Sequence, residues 1–232
     1  MDEPIGEVVG VSVGHVGTLQ AGSRSIRTAF VKHPVDGRVA LSRDGLPGDE
    51  HVYEHHGGVD MAALVYPFDH YAHWESELGR SLGVPSFGEN LTVTGPAEEE
   101  VLLGDLLAIG SAVVQVTQPR TPCYKLAAAF GVKDMAVRVQ STGRTGYLVR
   151  VLEEGTVAAG DQVRLVGRET HGITVAEAGR VVNMAMGDVE AALRVLAVSS
   201  LGSAVRRTLE ARLASTEPIG LDTERLYGDG HD

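Results

Sequence analysis

The pattern of hydrophobic and polar positions changes once, well past the middle of the chain. Before that point, short runs of alternating β-branched residues predict strands, and residues 6–14 are the first of them. Two segments, 101–110 and 157–167, each place a Gly-Asp turn before an alternating strand. A hairpin is predicted around residues 34–37 and a surface helix over residues 68–83. This pattern predicts a β-barrel built from hairpins.

The later part of the chain has the period of amphipathic helices. The segments with this spacing are residues 174–186, 187–198 and 202–214. The first of them begins with a capping box, formed by Thr174 and Glu177. We therefore predict a barrel domain at 1–168, a three-helix domain at 169–215 and a flexible tail at 216–232, since the tail shows neither helical period nor capping residues.

Composition narrows the classes of function. The chain has 20 Lys and Arg against 31 Asp and Glu, a formal net charge of −11, which disfavours binding to nucleic acids or anionic membrane surfaces. A single cysteine excludes an internal disulfide and any metal site built from several thiolates. The acidic N-terminus does not resemble a secretory signal, and no apolar run approaches the ~20 residues of a transmembrane helix. We expect a cytoplasmic protein.

The only cysteine lies in a stiff, basic turn. In the stretch QPRTPCYKL, residues 118–126, two prolines flank an arginine, and Cys123 follows the second proline. Arg120 and Lys125 are close enough in sequence to stabilise a thiolate, the form of cysteine that acts as a metal ligand or a nucleophile. The structural alternative is a small hydrophobic side chain packed in the core, since free cysteines are usually buried. The residues alone leave both possibilities open.

Three further loops carry polar residues that could belong to a site. At Gly57 and Gly58, backbone N–H groups could approach an anion, with His56 as a hydrogen-bond donor or acid. The alternative for this loop is an ordinary turn with a solvated histidine.

The other two loops lie at a strand entrance and in a glycine-rich turn. Glu89 and Asn90, in the stretch SFGENLTV, offer a polar pair to the edge of a ring. Arg144 and Thr145, in STGRTGY, resemble a phosphate-binding loop, although the Gly-Lys-Ser/Thr ending of a P-loop is missing. Ordinary turn chemistry explains either segment equally well.

Five segments, taken in order, resemble a known family. They are GLPGDEHVYEHHGG (45–58), FGENLTV (87–93), GDLLAIG (104–110), QPRTPCYKL (118–126) and STGRTGYLVRVL (141–152). On these motifs the chain resembles the MOSC-domain proteins, the molybdenum cofactor sulfurase C-terminal type, and more closely their YiiM-like branch. The helical part resembles the three-helix domain of that branch, so the resemblance covers about residues 6–215.

This resemblance implies a fold, a cofactor and an activity. The fold is mainly β with α, a MOSC-type β-barrel with flanking helices and a small C-terminal three-helix bundle. Cys123 is implied to be the protein ligand to molybdenum in a molybdopterin cofactor. Related members reduce N-hydroxylated compounds, including hydroxylaminopurine-type base analogues, to amines, a detoxification that draws electrons from a separate flavin-containing reductase. A homodimer is compatible with the sequence.

The residues agree with that reading. A soft thiolate suits molybdenum whose other ligands come from the pterin dithiolene, so one cysteine is sufficient. The cofactor ends in a phosphate, which needs cationic and hydrogen-bonding partners. The cofactor-binding residues expected from this reading are Arg120, Lys125, Arg144, Thr145, Asn90, Glu89, Gly57 and Gly58. The catalytic residues expected on this resemblance are Cys123 and His56, with His56 as the candidate proton donor for N–O cleavage. Met61 stands where relatives tend to have a basic residue.

Two other functions remain open from the sequence. Cys123 could be the nucleophile of a hydrolase or transferase, with His56 as the base and Asp60 or Asp49 as the orienting carboxylate. Cys123 could instead carry sulfur or the cofactor to another enzyme without catalysing a reaction. Bound molybdenum would argue against the nucleophile, and turnover would argue against the carrier.

Overall fold

The structure, a computed structural model, describes residues 3–52, 58–215, 220 and 222–228. The strands, in chain order, are β1 (Gly6–Val13), β2 (Gly17–Ala21), β3 (Arg24–Thr28), β4 (His33–Pro34), β5 (Val39–Leu41), β6 (Ala63–Pro67), β7 (Leu91–Val93), β8 (Leu106–Ile109), β9 (Ala112–Pro119), β10 (Tyr147–Glu153), β11 (Gly155–Val157) and β12 (Gln162–Gly167). The helices are α1 (His70–Leu78), α2 (Lys125–Phe130), α3 (Met135–Thr142), α4 (Val175–Asn183), α5 (Val189–Leu196), α6 (Ser203–Ala214) and α7 (Thr223–Tyr227).

Seven of the strands close into a barrel. The order around it is β1-β12-β8-β9-β10-β6-β7, and β7 pairs with β1 to complete the ring. Neighbours are antiparallel except for β6 and β7, which run parallel. The two Gly-Asp segments lead into β8 and β12, which pair with each other. The predicted barrel with flanking helices is confirmed.

The predicted hairpin around residues 34–37 is wrong. Gly37 does take the positive φ of a turn, at +76°. However, β4 pairs with β1, and β5 pairs with β11, so the two flanking strands separate after the turn. The hairpin in this part of the chain is formed instead by β2 and β3, which stand apart from the barrel as a two-stranded sheet.

Two clusters of buried residues hold the fold together. The larger combines the barrel interior with the inner faces of α4, α5 and α6. The smaller is aromatic and joins α1, α2, α3 and α7 around Trp74 and Phe87, both fully buried. Tyr66 stacks on Phe87 with ring centroids 4.5 Å apart. Burial of each large side chain contributes roughly 1.5–3 kcal/mol, so these helices are fixed to the barrel by packing.

Of the helices α4, α5 and α6, the first two begin at side-chain caps, whereas α6 begins after Gly202 without one. The Thr174 hydroxyl accepts a hydrogen bond from the backbone N–H of Glu177 at 3.0 Å, which starts α4 as predicted. Asp188 caps α5 in the same way. The helices lie within the predicted range of 169–215 and share the barrel's core. The division of the chain into separate domains stays a prediction.

Part of the predicted flexible tail forms a helix. The Asp222 carboxylate accepts a hydrogen bond from the backbone N–H of Arg225 at 2.9 Å and caps α7. Leu226 is 1% exposed and lies in the aromatic cluster. A five-residue helix is too short to show a helical period in the sequence. The capping residue Asp222 was the available local signal for this helix. In the described part of the chain, every helix is too short or too polar to span a membrane.

Candidate functional site

A cavity of about 340 Å³ lies where the loop after β9 meets the segments after β3 and β5. Residues of β6, the start of α6 and α7 complete its walls. Its charged and thiol side chains are Lys32, Glu50, His51, Arg120, Cys123, Lys125 and Arg225. The cavity therefore joins a thiol to several cations in a chain that is acidic as a whole.

Cys123 faces this cavity and is half-buried. Its loop is fixed along its length by backbone hydrogen bonds. The N–H of Arg120 donates to the Gly146 carbonyl at 3.1 Å, and the carbonyl of Cys123 accepts from Leu126 at 3.0 Å. The alternative of a thiol packed deep among aliphatic side chains does not describe this position. The thiol has access to a ligand.

Arg120 is a buried cation with unused hydrogen-bonding capacity. Its guanidinium lies 5.8 Å from the centre of the Phe30 ring. Its Nη1 atom is buried and has no hydrogen-bond partner among the described residues. Burial lowers the pKa of Arg120, and the charges of Cys123, Tyr66 and Glu89 oppose that shift. A buried, incompletely paired guanidinium is a site for an anion.

Lys32 is a second cavity cation, and the sequence analysis missed it. Its Nζ forms an ion pair and a short hydrogen bond with the Asp49 carboxylate, and both side chains are almost fully buried. Burial lowers the pKa of Lys32, and Asp49 opposes the shift. Lys32 follows β3 on a short segment whose sequence looks like an exposed turn. Only the barrel topology brings it beside the Cys123 loop.

Asn90 lines the cavity, but its amide also has structural partners. Its Oδ1 accepts from the backbone N–H of Leu64 at 3.0 Å, and its Nδ2 donates to Asp49 at 2.9 Å. Asn90 thus joins β6 to the Lys32–Asp49 pair. Lys125, also predicted, is buried and lines the cavity.

Glu89 is not brought to the cavity wall. It is 0% exposed and accepts hydrogen bonds from the Tyr71 hydroxyl, from the backbone N–H of Phe87 at 2.8 Å and from the Thr92 hydroxyl at 3.1 Å. Its carboxylate serves the aromatic cluster. Just before β7, the side chains of Glu89 and Asn90 have different surroundings. Glu89 lies in the aromatic cluster, and Asn90 lines the cavity.

Arg144 and Thr145 also lie away from the cavity wall. Gly143 and Gly146, with φ of +73° and +75°, turn the chain sharply on either side of them. The Thr145 hydroxyl donates to the Gly146 carbonyl at 3.0 Å, and the Arg144 carbonyl accepts from the Tyr66 hydroxyl at 3.3 Å. Their predicted role in phosphate binding stays a prediction that this geometry does not favour.

The histidine loop is only partly described. His56 and Gly57 lie outside the described residues, whereas Gly58 is exposed, has a φ of +106° and is absent from the cavity wall. His51 and Met61, on the two sides of this loop, both line the cavity.

The carboxylates suggested for a cysteine hydrolase have other partners. Asp60 pairs with Arg150 at 2.9 Å and accepts from the backbone N–H of Ser203 at 2.8 Å, which ties the barrel to α6. Asp49 pairs with Lys32. Across the ranges that the structure covers, no three His, Cys, Asp or Glu side chains are grouped to bind a metal ion. A metal at Cys123 would therefore bring most of its own ligands.

Arg225 is the least expected member of the site. It belongs to α7, in the segment predicted to be a flexible tail, and its guanidinium lines the cavity. Burial lowers its pKa, and the charges of Asp222 and Cys123 oppose that shift. No local sequence signal connects α7 with the cysteine loop, because the two are about a hundred residues apart.

Comparisons with known proteins give consistent results. The family model described as the MOSC domain matches residues 52–164. The chain is 42% identical to the uncharacterized protein YflK of Bacillus subtilis, over 91% of this chain and 96% of that protein. It is 37% identical to the protein YiiM of Escherichia coli, over 92% and 96%. The crystal structure of Escherichia coli YiiM superposes with a TM-score of 0.76 at 32% identity, covering 96% of this chain and 99% of that one. A protein of Gibberella moniliformis named a reductase is 36% identical over 68% of this chain, but over only 29% of its own length.

Proposed function

Since the chain belongs to the YiiM-like branch of the MOSC-domain family, we propose that it is a molybdenum-cofactor-dependent oxidoreductase that reduces N-hydroxylated compounds, such as hydroxylaminopurine-type bases, to amines. One observation carries the proposal. The accessible thiol of Cys123 shares a cavity with Arg120, whose buried Nη1 lacks a partner among the described residues.

The residues of the cavity fit a molybdopterin cofactor. A thiolate is the soft ligand that a sulfur-ligated metal prefers. Arg120 and Lys125 offer cations to an anionic cofactor, and the phosphate at its end needs such partners. The volume of about 340 Å³ falls within the range of small-molecule sites.

The proposed reaction takes two electrons and two protons. The N–O bond breaks, the nitrogen becomes an amine, and the oxygen leaves as water. The bound cofactor would supply the two-electron reduction, which no side chain in this cavity can provide. Cys123 would hold the metal, and the cations would orient the cofactor. His51, which lines the cavity, would donate the proton, a role that the sequence assigned to His56.

The electrons would come from a separate flavin-containing reductase. The match to part of a much longer fungal protein named a reductase supports a redox role for this kind of domain.

Turnover with a defined electron donor tests the proposal. The chain is produced in a host that makes molybdopterin, its molybdenum content is measured, and 6-hydroxylaminopurine is supplied under anaerobic conditions with reduced methyl viologen. We expect adenine to form in proportion to the molybdenum content. Molybdenum-loaded protein that forms no amine would contradict the enzyme and favour a carrier, and amine formation that does not follow the molybdenum content would contradict the role of the cofactor.

The two predicted phosphate-binding arginines provide a matched pair of variants. Arg120→Ala should lower cofactor affinity about tenfold or more, since charge-assisted hydrogen bonds are worth roughly 1.5–3 kcal/mol. Arg144→Ala should leave affinity unchanged, because Arg144 does not line the cavity. Molybdenum content after dialysis gives the comparison. The reverse result would place the phosphate at the glycine-rich turn.

A further inference from the structure

The loop that carries Cys123 is held from both sides by one residue of the C-terminal helix. The Arg225 guanidinium donates through Nη1 to the carbonyl of Pro122, the residue before the cysteine. The backbone carbonyl of Arg225 accepts from the N–H of Tyr124, the residue after it, at 2.8 Å. Leu226 anchors the helix by packing in the aromatic cluster. The position of the thiol therefore depends on α7.

The Arg225 guanidinium is also fixed on its other side. Its Nη2 donates to the Gln140 side chain at 2.9 Å, and its Nε lies 3.6 Å from the Asp222 carboxylate. A guanidinium has five N–H donors, so these contacts leave hydrogen-bonding capacity for a ligand. A second cavity, of about 390 Å³, lies on the far side of Arg225 and shares part of its wall with the first. Arg225 stands between the two.

The balance of charge around the thiol is positive. The charged groups that line the cavity are Lys32, Glu50, His51, Arg120, Lys125 and Arg225. Asp49, behind the wall, neutralises Lys32. The charges of Arg120 and of Arg225 each interact with that of Cys123.

We propose that Arg225 is an anion-binding and positioning residue of this site: it fixes the Cys123 loop and places a second guanidinium beside the thiol. The cavity then selects small anions, and α7 is a part of the site. The inference rests on the proposed function only for the identity of the anion, which would be an anionic group of the cofactor. The positive charge beside Cys123 comes from the protein's own side chains and does not depend on a bound cofactor.

Competition between two alkylating reagents measures that charge directly. The chain has one cysteine, so modification reports on Cys123 alone. Iodoacetate is anionic and iodoacetamide is neutral, but they are similar in size and both react with the thiolate. At one pH, both rates depend in the same way on the fraction of Cys123 that is ionised and on how easily a reagent reaches it. The ratio of the two rates is therefore independent of both, and it reports the charge around the thiol. We expect Arg225→Gln to lower the iodoacetate-to-iodoacetamide ratio about fivefold, the effect of removing one nearby charge from a partly solvated cavity.

Two further variants separate charge from general damage. Arg225→Lys should restore most of the ratio, because the positive charge remains. Arg212→Gln is the matched control: Arg212 lines the second cavity only and donates to the carbonyls of Val181 and Val182, so its loss should leave the ratio unchanged. If Arg225→Gln does not fold by circular dichroism, Arg225→Met replaces it with the same expected ratio.

The outcomes distinguish this inference from the proposed function. An unchanged ratio in a folded Arg225 variant, or an equal fall in the Arg212 variant, would overturn the inference. The measurement uses metal-free protein, so a failure to bind molybdenum or to reduce a substrate would leave its result intact. In molybdenum-loaded protein, Arg225→Gln should also lower metal retention about fivefold, and Arg225→Lys should recover it.

Discussion

Cys123→Ser is expected to give a folded protein that retains about a tenth or less of the wild-type molybdenum. The serine hydroxyl is nearly the size of the thiol, but it stays protonated at neutral pH and is a hard ligand, so the bond to a soft metal centre is lost. Cys123 is half-buried at a cavity wall, and its replacement should change the free energy of unfolding by no more than about 1 kcal/mol. Metal analysis and urea denaturation measure the two quantities.

Thr121→Ser is a suitable control for that variant. Thr121 lies two residues before the cysteine and lines the same cavity, but it offers no soft ligand. Its substitution should preserve the molybdenum content. Retention of the metal by Cys123→Ser would show that the thiol is not the ligand, whereas unfolding of that variant would show that the thiol is needed for packing.

Glu89→Ala is expected to destabilise the fold by about 3 kcal/mol or more. The substitution leaves the Tyr71 and Thr92 hydroxyls and the N–H of Phe87 without their acceptor in a dry aromatic cluster. Each buried, unsatisfied donor costs about 1–3 kcal/mol. Urea denaturation of the purified variant gives the change in the free energy of unfolding.

Glu99→Ala provides the comparison, since Glu99 is exposed and should change stability by less than about 0.5 kcal/mol. A cofactor-binding role for Glu89 predicts a different result. In that case the alanine variant would unfold at the same urea concentration as the wild-type protein but would lose its molybdenum.

Strands such as β1, the start of α4 and the cysteine loop could be predicted because their signals are local. The alternation of hydrophobic and polar residues predicted β1, and the capping box predicted the start of α4. Arg120 and Lys125 lie within three residues of Cys123 in the sequence. Each of these inferences needs only a short window of chain. They are the part of the fold and site that sequence patterns specify directly.

The remaining site residues depend on contacts between distant parts of the chain. Arg225 meets Pro122 across 103 residues, and Lys32 reaches the cavity because the barrel brings the segment after β3 beside the end of β9. Glu89 and Asn90 show a related difficulty. Adjacent residues at a strand entrance point to different surroundings, and which one faces the ligand depends on how β6 and β7 pair.

The ring of strands also has a consequence for how the protein is made. β1 and β12 are neighbours in the barrel, yet almost the whole barrel sequence separates them. Contacts between such distant segments form slowly, because a long loop must close first. A nascent chain also exposes Cys123 before α7 has left the ribosome, because about a hundred residues separate the two. We expect refolding to be slow.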